Sequence, residues 1–523
     1  MLTKVTSYGI LGLEVYPVTI EVDVSFGLPM TAIVGLPDSA VKESKERVRT
    51  AIKNSGFQFP SDRITINLAP ADMKKEGPRF DLAMALGVLA ASEQISPAPL
   101  KKYIILGELS LDGYIHPIRG VLAVVMAVPK NKFAGILLPE ANAQEAAITN
   151  HIAIYPVRHL SQVIQFLFEP SLIKPLQLDV KALFTTANHY DVDFSDVKGQ
   201  ILVKRGLEIA ASGGHNVLMI GPPGSGKTML AKRLPTILPD MSLGEALETT
   251  KIHSVVGLLP PQAGIMATRP FRAPHHTASD VALVGGGSNP KLGEVTLSHN
   301  GVLFLDEMPE FNRNVLESLR QPLEDHYVTV ARAARTLRFP SKFMLIGSMN
   351  PCPCGWYTDP RKACRCSFAE IQKYMAKVSG PLLDRIDMHL EVPSLSSAQL
   401  MEQPQGESSI EIKKRTTRAR EIQLERFAPQ GYLSSLPFPK PRLPVYANAH
   451  MGSKQIQEFC RLTPEGQTLL KKAIDELGLS ARAHDKVLKL SRTIADLEEA
   501  KDILPHHLAE AIQYRCLDRG WWG

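Results

Sequence analysis

Cysteine is scarce in this sequence, with six residues in 523, and four of the six fall between positions 352 and 366. So few cysteines exclude a disulfide-stapled scaffold. The N-terminal stretch alternates apolar and polar residues and lacks the uninterrupted apolar segment of a secretory signal. These absences predict a cytoplasmic protein, in which clustered cysteines indicate metal binding more than disulfides.

Long hydrophobic runs are also absent, because no stretch reaches the ~18 consecutive apolar residues that a membrane span needs. We therefore expect no membrane partner. Positive charge is only slightly in excess: the chain has 59 Lys and Arg residues and 53 Asp and Glu residues, which gives a net charge of +6. This balance permits nucleic-acid binding without indicating it. A prior of about 150 residues per domain predicts roughly three to four domains.

The order of apolar runs predicts a multidomain α/β protein. The first part alternates short strands with helices, including one over 39–54, and contains no phosphate-binding loop. The second part repeats strand, glycine-rich turn and helix, which predicts a mostly parallel sheet covered on both faces. The predicted boundaries are 1–170 for the N-terminal α/β domain, 171–192 for a linker, 193–395 for the phosphate-loop domain, 396–452 for a connector with a charged helix over 409–426, and 453–523 for a helical domain.

A phosphate-binding loop lies between the apolar run NVLMI and the helix-like run MLAKRLPTIL. It matches G-x-x-x-x-G-K-[ST] at every fixed position, in the strand–turn–helix context that the motif requires. Glycines let backbone N–H groups wrap phosphates, and the helix N-terminus favours negative charge. The lysine would reach the β- and γ-phosphates, and the threonine would bind Mg²⁺. The predicted nucleotide-binding residues are Gly221, Pro222, Pro223, Gly224, Ser225, Gly226, Lys227 and Thr228.

Two adjacent carboxylates, Asp306 and Glu307, end the apolar run GVLFL. Acids in this position lie at the carboxyl edge of an open α/β sheet, where ligands bind. Asp306 is predicted to hold Mg²⁺ through water, and Glu307 to orient and deprotonate the attacking water. Asn350 ends another strand, LIGSMN, where it could position that water or touch the γ-phosphate, although an asparagine there also suits a turn. The combination predicts an enzyme that hydrolyses a nucleoside triphosphate.

Four cysteines form two Cys-x-Cys pairs around the segment GWYTDPRKA. Four thiolates can close a tetrahedral structural zinc site, although the usual spacing leaves two residues within a pair. Reduced thiols and a redox-labile pair are the alternatives, and the basic residues Arg361, Lys362 and Arg365 could meet phosphates or only solvent. We predict that Zn²⁺ is bound by Cys352, Cys354, Cys364 and Cys366.

Several sequence segments resemble those of a known protein family. The phosphate loop, the strand ending in Asp-Glu, Asn350 and GPLLDRIDMHLEVP occur together as in AAA+ ATPases, which the chain resembles. More closely, RPFRAPHHTASDVALVGGG followed by GEVTLSHNGVLFLDEMPEF resembles the magnesium-chelatase-like branch, specifically the bacterial YifB/ComM family. Over essentially the full length, the resemblance implies a ring-shaped homo-hexamer with ATP bound between subunits. It also implies a helicase that drives branch migration of DNA during natural transformation, and that binds single-stranded, forked or branched DNA as its partner.

The resemblance implies roles for two arginines. Arg385, in LLDRID, matches the arginine finger that would reach a neighbouring subunit's γ-phosphate. The alternative is a salt bridge with Asp384 or Asp387. Arg482, in SARAHDK, matches the second sensor arginine, and its alternative is an ordinary surface arginine.

The run YVTVARAARTLRF predicts two short strands joined by a small-residue turn. The resemblance implies that this hairpin points into the central pore, where Arg332 and Arg335 would contact DNA phosphates. Pairing with Glu324 and Asp325, or solvation alone, is the alternative.

The segment 269–300 matches the insertion that such enzymes carry in their second helix. It contains His275 and His276, and no carboxylate lies at a sequence spacing from them that would indicate a partner. We therefore interpret both as structural or pore-facing polar residues, with metal binding or acid/base chemistry as the alternative.

The N-terminal domain resembles the Lon-protease and ribosomal-S5-like fold. Where Lon-type enzymes carry the nucleophilic serine after Gly-Pro, this chain has Arg79, and the segment 121–124 contains no lysine to act as base. A Ser–Lys mechanism needs both groups, so a scaffold or docking role is favoured over proteolysis.

The alternative function is a remodelling chaperone or a chelatase-type ATPase acting on a protein complex. A non-catalytic regulator is disfavoured because Lys227, Asp306 and Glu307 are all intact. Stimulation of ATP hydrolysis by DNA would distinguish the DNA motor from the alternative.

Overall fold

The computed structural model describes residues 1–180, 183–184, 190–260, 263–287, 291–331, 336–357, 359, 361–395, 406–428, 445–477 and 480–515. The chain divides into two compact units. The first contains Met1–Asn188 and Leu247–Met266, and the second contains His189–Ala246 and Ala267–Gly523. Among the described helices, none combines the length and apolar character that crossing a bilayer requires.

The first unit is built from strands and helices that alternate along the chain. Its elements are β1 (Leu2–Leu11), β2 (Glu14–Ser25), β3 (Met30–Val34), α1 (Ser39–Asn54), β4 (Arg63–Ala69), α2 (Asp81–Ala91), β5 (Tyr103–Ile105), β6 (Glu108–Leu109), β7 (Ile115–His116), α3 (Val121–Ala127), β8 (Gly135–Pro139), α4 (Ala143–Ala147), β9 (Ile154–Val157) and α5 (Leu160–Phe168). A seven-stranded mixed sheet has the order β3-β4-β2-β1-β5-β8-β9.

One face of this sheet is buried by α2, which is apolar on every side and packs against β1 and β2. Gly87 permits the close approach, because a Cβ there would lie 2.6 Å from Cγ2 of Val22. Every second residue of β2 faces this core, with Val18, Ile20 and Val22 fully buried. Helix α1 begins after Asp38, whose carboxylate accepts a hydrogen bond from the backbone N–H of Val41 at 2.8 Å.

The second unit contains the phosphate loop and the C-terminal helices. Its elements are α6 (Ile201–Gly213), β10 (Val217–Ile220), α7 (Lys227–Ile237), α8 (Leu243–Val256, continuing into the first unit), β11 (Phe271–Arg272), α9 (Asp280–Val284), β12 (Gly285–Gly286), β13 (Lys291–Leu292), α10 (Glu294–Leu297), β14 (Val302–Leu305), α11 (Arg313–Ser318), α12 (Arg320–Asp325), β15 (Tyr327–Ala331), β16 (Thr336–Pro340), β17 (Met344–Met349), α13 (Phe368–Met375), α14 (Gly380–Leu383), β18 (Met388–Glu391), α15 (Ser409–Phe427), α16 (Ser453–Phe459), α17 (Pro464–Leu477), α18 (Ala481–Leu497) and α19 (Pro505–Gln513).

A five-stranded sheet of order β11-β14-β17-β10-β18 forms the centre of the second unit, and all its neighbouring pairs are parallel. The strands β10, β14 and β17 are buried along their whole length, as expected for a parallel sheet with both faces covered. Their carboxyl ends therefore meet at one edge. The C-terminal helices α15 and α18 pack on α6.

This architecture confirms the prediction of a multidomain α/β protein with a parallel-sheet core and a helical C-terminal region. The hairpin predicted before Asn350 is also present, with β15 and β16 paired from Tyr327 opposite Pro340 to Ala331 opposite Thr336. The finer division of the sequence into five consecutive parts stays a prediction.

Candidate nucleotide site

The phosphate loop joins β10 to α7 at the carboxyl edge of the parallel sheet. Gly224 and Gly226 have φ angles of +76° and +91°, which glycine adopts without a steric penalty. A Cβ on Gly221 would lie only 2.1 Å from the carbonyl oxygen of Val392, next to β18. The local fold therefore needs glycine at these positions of the motif.

Lys227 is the first residue of α7, and its side chain turns back over the loop. Its Nζ donates hydrogen bonds to the carbonyl oxygens of Gly221 at 2.6 Å and Pro222 at 2.9 Å, and to Oδ1 of Asn350 at 3.3 Å. Burial lowers the pKa of Lys227 to about 8, although Asp306 and Glu307 act in the opposite direction. The structure thus brings Lys227 together with Asn350, as the sequence predicts for a shared site.

Asp306 connects three elements of the site. Its Oδ2 accepts a hydrogen bond from Oγ1 of Thr228 at 2.7 Å, and its Oδ1 accepts one from Oγ of Ser348. Ser348 was not predicted as a site residue. It lies two residues before Asn350, and alternate residues of a strand share a face, so that spacing was the available signal.

Glu307 is the second residue after β14 and has a φ of +51°, in the left-handed region that residues other than glycine seldom adopt. Its backbone N–H donates to Oγ of Ser348 at 3.3 Å. Its side chain is 59% exposed and borders a cavity of about 410 Å³ that Asn350 also lines. A strained residue held by a neighbouring strand fits a functional position, because such strain concentrates at active sites.

The structure differs from the sequence interpretation at His276. Its Nδ1 lies 3.9 Å from Oε2 of Glu307, and its ring contacts those of His275, at 4.0 Å between centroids, and Phe311. A carboxylate partner therefore exists. Sequence spacing could not indicate it, because the two residues are distant in the chain and meet only in the fold.

A second cavity, of about 500 Å³, adjoins the phosphate loop at Gly221 and Pro222. The apolar side chains of Ile201 and Leu202, at the start of α6, are 76% and 82% exposed beside it. Gln200, which precedes Ile201, is hydrogen-bonded to the phosphate loop. Its Nε2 donates to the carbonyl oxygens of Ser225 at 2.9 Å and Pro393 at 3.0 Å. These residues were not predicted, since nothing in their sequence distinguishes exposed from core apolar side chains.

The four clustered cysteines converge in space. The Sγ atoms of Cys352, Cys354 and Cys364 lie 3.3, 3.7 and 3.6 Å apart, and the four ligand atoms, including that of Cys366, all lie within 4.8 Å of one another. A tetrahedral zinc site with Zn–S bonds near 2.3 Å places its sulfurs about 3.8 Å apart. The thiols therefore fit Zn²⁺ in kind, number and spacing.

Comparison with known proteins gives full-length relatives. Residues 193–400 match the family described as magnesium chelatase, subunit ChlI, residues 20–142 match subunit ChlI of Mg-chelatase, and residues 406–515 match the C-terminal part of that subunit. The competence protein ComM of Haemophilus influenzae is 42% identical over 99% of this chain and 98% of its own length. The protein YifB of Salmonella typhimurium is 44% identical over 97% of this chain and 96% of its own.

The chain belongs to the YifB/ComM family of magnesium-chelatase-like AAA+ proteins. This confirms the resemblance found in the sequence. A Lon protease of Trichlorobacter lovleyi is also 24% identical over 163 residues, which cover 29% of this chain and 20% of that protease. The Lon-like part of the predicted fold agrees with this similarity.

In this YifB/ComM-family chain, Arg385 lies two residues after α14 and forms an ion pair with neither Asp384 nor Asp387, the two partners that its alternative interpretation named. It donates to the carboxylate of Glu324 and, at 2.7 Å, to the carbonyl oxygen of Pro381. Among the described residues, no hydrogen bond or ion pair joins Arg385 to Lys227 or Glu307. The structure therefore does not bring the predicted finger to the phosphate loop of its own chain.

Arg482, at the start of α18, is 62% exposed and pairs with Asp384 at 3.2 Å. Among the parts of the chain that the structure describes, no hydrogen bond or ion pair joins Arg482 to the phosphate loop. Arg332 and Arg335, predicted to touch DNA, lie outside the described residues.

Proposed function

We propose that this chain is an ATP-driven hexameric motor that promotes branch migration of DNA in recombination during natural transformation. The ATPase part rests on one observation: two hydrogen-bonded pairs, Lys227 with Asn350 and Thr228 with Asp306, lie together at the carboxyl edge of one parallel sheet. The DNA part is supported by a relative whose name refers to competence and whose sequence is 42% identical over nearly the full length of both chains.

The groups at this sheet edge fit ATP with Mg²⁺, because they combine an ammonium for phosphates with hard oxygen donors for the metal. Lys227 would bind the β- and γ-phosphates, and Thr228 and Asp306 would hold Mg²⁺, which neutralises charge on the phosphates when bound. Glu307 would take the proton of the attacking water, and Asn350 would orient that water. The apolar cavity beside Ile201 would receive the nucleoside.

The shared active site is part of the proposal. Arg385 would act on the nucleotide of a neighbouring subunit, and Arg482 would serve as the second sensor. Support comes from the family and from the position of Arg385, which contacts Glu324 and Pro381 in place of its own phosphate loop. The N-terminal unit would serve as a scaffold or docking ring, since Arg79 stands where Lon-type enzymes carry serine.

The DNA role is tested by ATP hydrolysis and fork unwinding with single-stranded and forked DNA. We expect DNA to stimulate ATP turnover. The double variant Arg332→Ala/Arg335→Ala should bind DNA more weakly and with a flatter salt dependence, because each lost phosphate contact removes roughly 0.7 to 0.9 from the slope of log affinity against log salt. Basal ATP turnover should stay near the wild-type rate.

Arg338→Ala is the matched control for this experiment, because its guanidinium lies over the Tyr327 ring, 5.0 Å from the centroid, within the body of the hairpin. It should change DNA binding less than the double variant does. Unchanged DNA affinity and unwinding in the double variant would contradict the hairpin assignment. ATP turnover that DNA leaves unchanged would favour a motor acting on a protein complex.

We propose that the four cysteines hold a structural Zn²⁺. Protein purified without chelator should contain about one zinc per chain by elemental analysis, and Cys364→Ser should lose it, because a tetrahedral structural site needs all four ligands. Cys460→Ala removes a buried cysteine outside the cluster and should keep the metal. Absence of zinc from the wild-type protein would contradict this proposal and would mean that the four cysteines are ordinary reduced thiols.

A further inference from the structure

A small cavity lies at the amino edge of the parallel sheet, opposite the phosphate loop. It borders Gly301 before β14 and Met344 at the start of β17, and it has a volume of about 40 Å³. Since about 10–15 Å³ admits one water, the space holds roughly three waters. That is enough for one small tetrahedral oxyanion and too little for a nucleotide.

The cavity lies at the base of the β15–β16 hairpin. Lys342, which lines it, comes just after β16, and His326 comes just before β15. The backbone N–H of Ser341 donates to the carbonyl oxygen of His326 at 2.9 Å and closes the hairpin there. The backbone of Lys342 is fixed as well, because its N–H donates to Nδ1 of His299 at 3.0 Å.

The side chains around the cavity are strongly cationic. Arg269, Lys342 and Arg420 line it, and no Asp or Glu does so among the described residues. Glu245 lies 3.6 Å from Arg269 and is the carboxylate that acts on this group. Burial lowers the pKa of Lys342 to about 7, against the influence of Glu245, and both arginines lower it further. The positive charge is therefore only partly balanced.

The hydrogen bonds of the arginines do not remove this excess charge. Arg269 donates to the carbonyl oxygens of Pro239 at 2.7 Å and Asn300 at 2.7 Å, and Arg420 donates to that of Ser212 at 3.1 Å. Carbonyl oxygens satisfy the donors but carry no net charge. Concentrated positive charge in a partly buried space is costly unless an anion offsets it.

Two groups at the cavity have hydrogen-bonding capacity that the described protein atoms do not use. The ammonium of Lys342 lies over the Tyr446 ring, 2.9 Å from its centroid, and donates no hydrogen bond to a carbonyl or carboxylate of the described residues. Nδ1 of His450 is buried and has no hydrogen-bond partner in that same part of the chain. The His450 ring stacks on the same Tyr446 ring, with 4.7 Å between the two ring centroids.

We propose that this cavity binds a phosphate group, with Lys342 and His450 as its direct ligands and Arg269 and Arg420 supplying the surrounding positive charge. The phosphate could be a free inorganic anion or part of a nucleic-acid backbone, since both present the same tetrahedral oxyanion. In either case the ligand lies between the hairpin base and α15, which carries Arg420.

The test is calorimetric titration of the full-length protein with inorganic phosphate at constant ionic strength. Saturating ADP and Mg²⁺ are present throughout, so that the phosphate loop is filled. We expect one phosphate per chain, with at least about tenfold weaker binding in Lys342→Gln, because a charge-assisted hydrogen bond is lost. Lys414→Gln is the matched control: it removes the same charge from an exposed position of α15, and should bind phosphate as the wild type does.

A parallel titration with a single-stranded oligonucleotide separates the two sources. Weaker oligonucleotide binding in Lys342→Gln but not in Lys414→Gln, without binding of free phosphate, would assign the site to a nucleic-acid backbone. His450→Gln provides a second variant, should Lys342→Gln fold poorly, and should weaken the same ligand. Binding of both probes that is unaffected by either cavity variant, or no binding of either probe, would overturn the proposal. These outcomes do not depend on ATP hydrolysis, so they stay separate from a failure of the proposed motor function.

Discussion

Glu307→Gln is expected to lower ATP turnover by about 10²- to 10⁴-fold while leaving ATP bound, because it removes the general base and preserves the shape of the side chain. The structure strengthens this expectation. Glu307 is fixed at its strand end by Ser348 and sits beside a cavity that Asn350 shares. The measurements are steady-state phosphate release and equilibrium binding of ATP.

Two controls separate catalysis from binding and from general charge loss. Lys227→Ala should lose nucleotide affinity, because its ammonium supplies the charge for the phosphates. Glu310→Gln removes a nearby carboxylate that pairs with Lys377 at 3.1 Å, and should turn over ATP at close to the wild-type rate. Wild-type turnover in Glu307→Gln would mean that another group is the base.

Arg385→Ala is expected to reduce ATP hydrolysis by about 10³- to 10⁵-fold with nucleotide binding nearly intact, the range found for arginine fingers. The reason is that its guanidinium would stabilise transition-state charge on the nucleotide of the adjacent subunit. Mixing Arg385→Ala chains with Glu307→Gln chains should then restore some activity, since a mixed interface can combine an intact Glu307 with an intact Arg385.

Glu324→Gln tests the structural alternative for Arg385. It breaks the same ion pair, in which the side chain of Arg385 is 15% exposed and that of Glu324 is 62% exposed, but keeps the arginine. Loss of hydrolysis in Glu324→Gln equal to that in Arg385→Ala would point to a structural ion pair. Full activity of Arg385→Ala as a dilute monomer would contradict the shared site.

Local patterns in the sequence were sufficient to predict much of the fold. The helix predicted over 39–54 has those bounds in the structure, and the charged helix predicted over 409–426 ends one residue later, at Phe427. The apolar runs NVLMI and GVLFL became the buried strands β10 and β14. These elements are set by hydrophobic periodicity, caps and glycines, which act over a few neighbouring residues.

The site was predictable where a motif fixes the residues and unpredictable where the fold brings distant residues together. Lys227, Asp306 and Asn350 were predicted and meet in the structure, because parallel strands end at one edge. The pairing of Arg385 with Glu324 and the approach of His276 to Glu307 depend on through-space packing. The inclusion of Leu247–Met266 in the first unit likewise leaves no mark in composition.

Strand β17 links the base of the β15–β16 hairpin to the phosphate-loop edge of the second unit. It begins at Met344, beside the hairpin base, and ends at Met349, beside Asn350. At about 3.3 Å per residue it is a rod roughly 20 Å long, and it is hydrogen-bonded to β14 on one side and β10 on the other. Because the strand is already extended and is paired on both sides, it can neither lengthen nor slide without breaking its hydrogen bonds to β10 and β14. The base of the hairpin and the amide that accepts a hydrogen bond from Lys227 are therefore joined by a single paired strand.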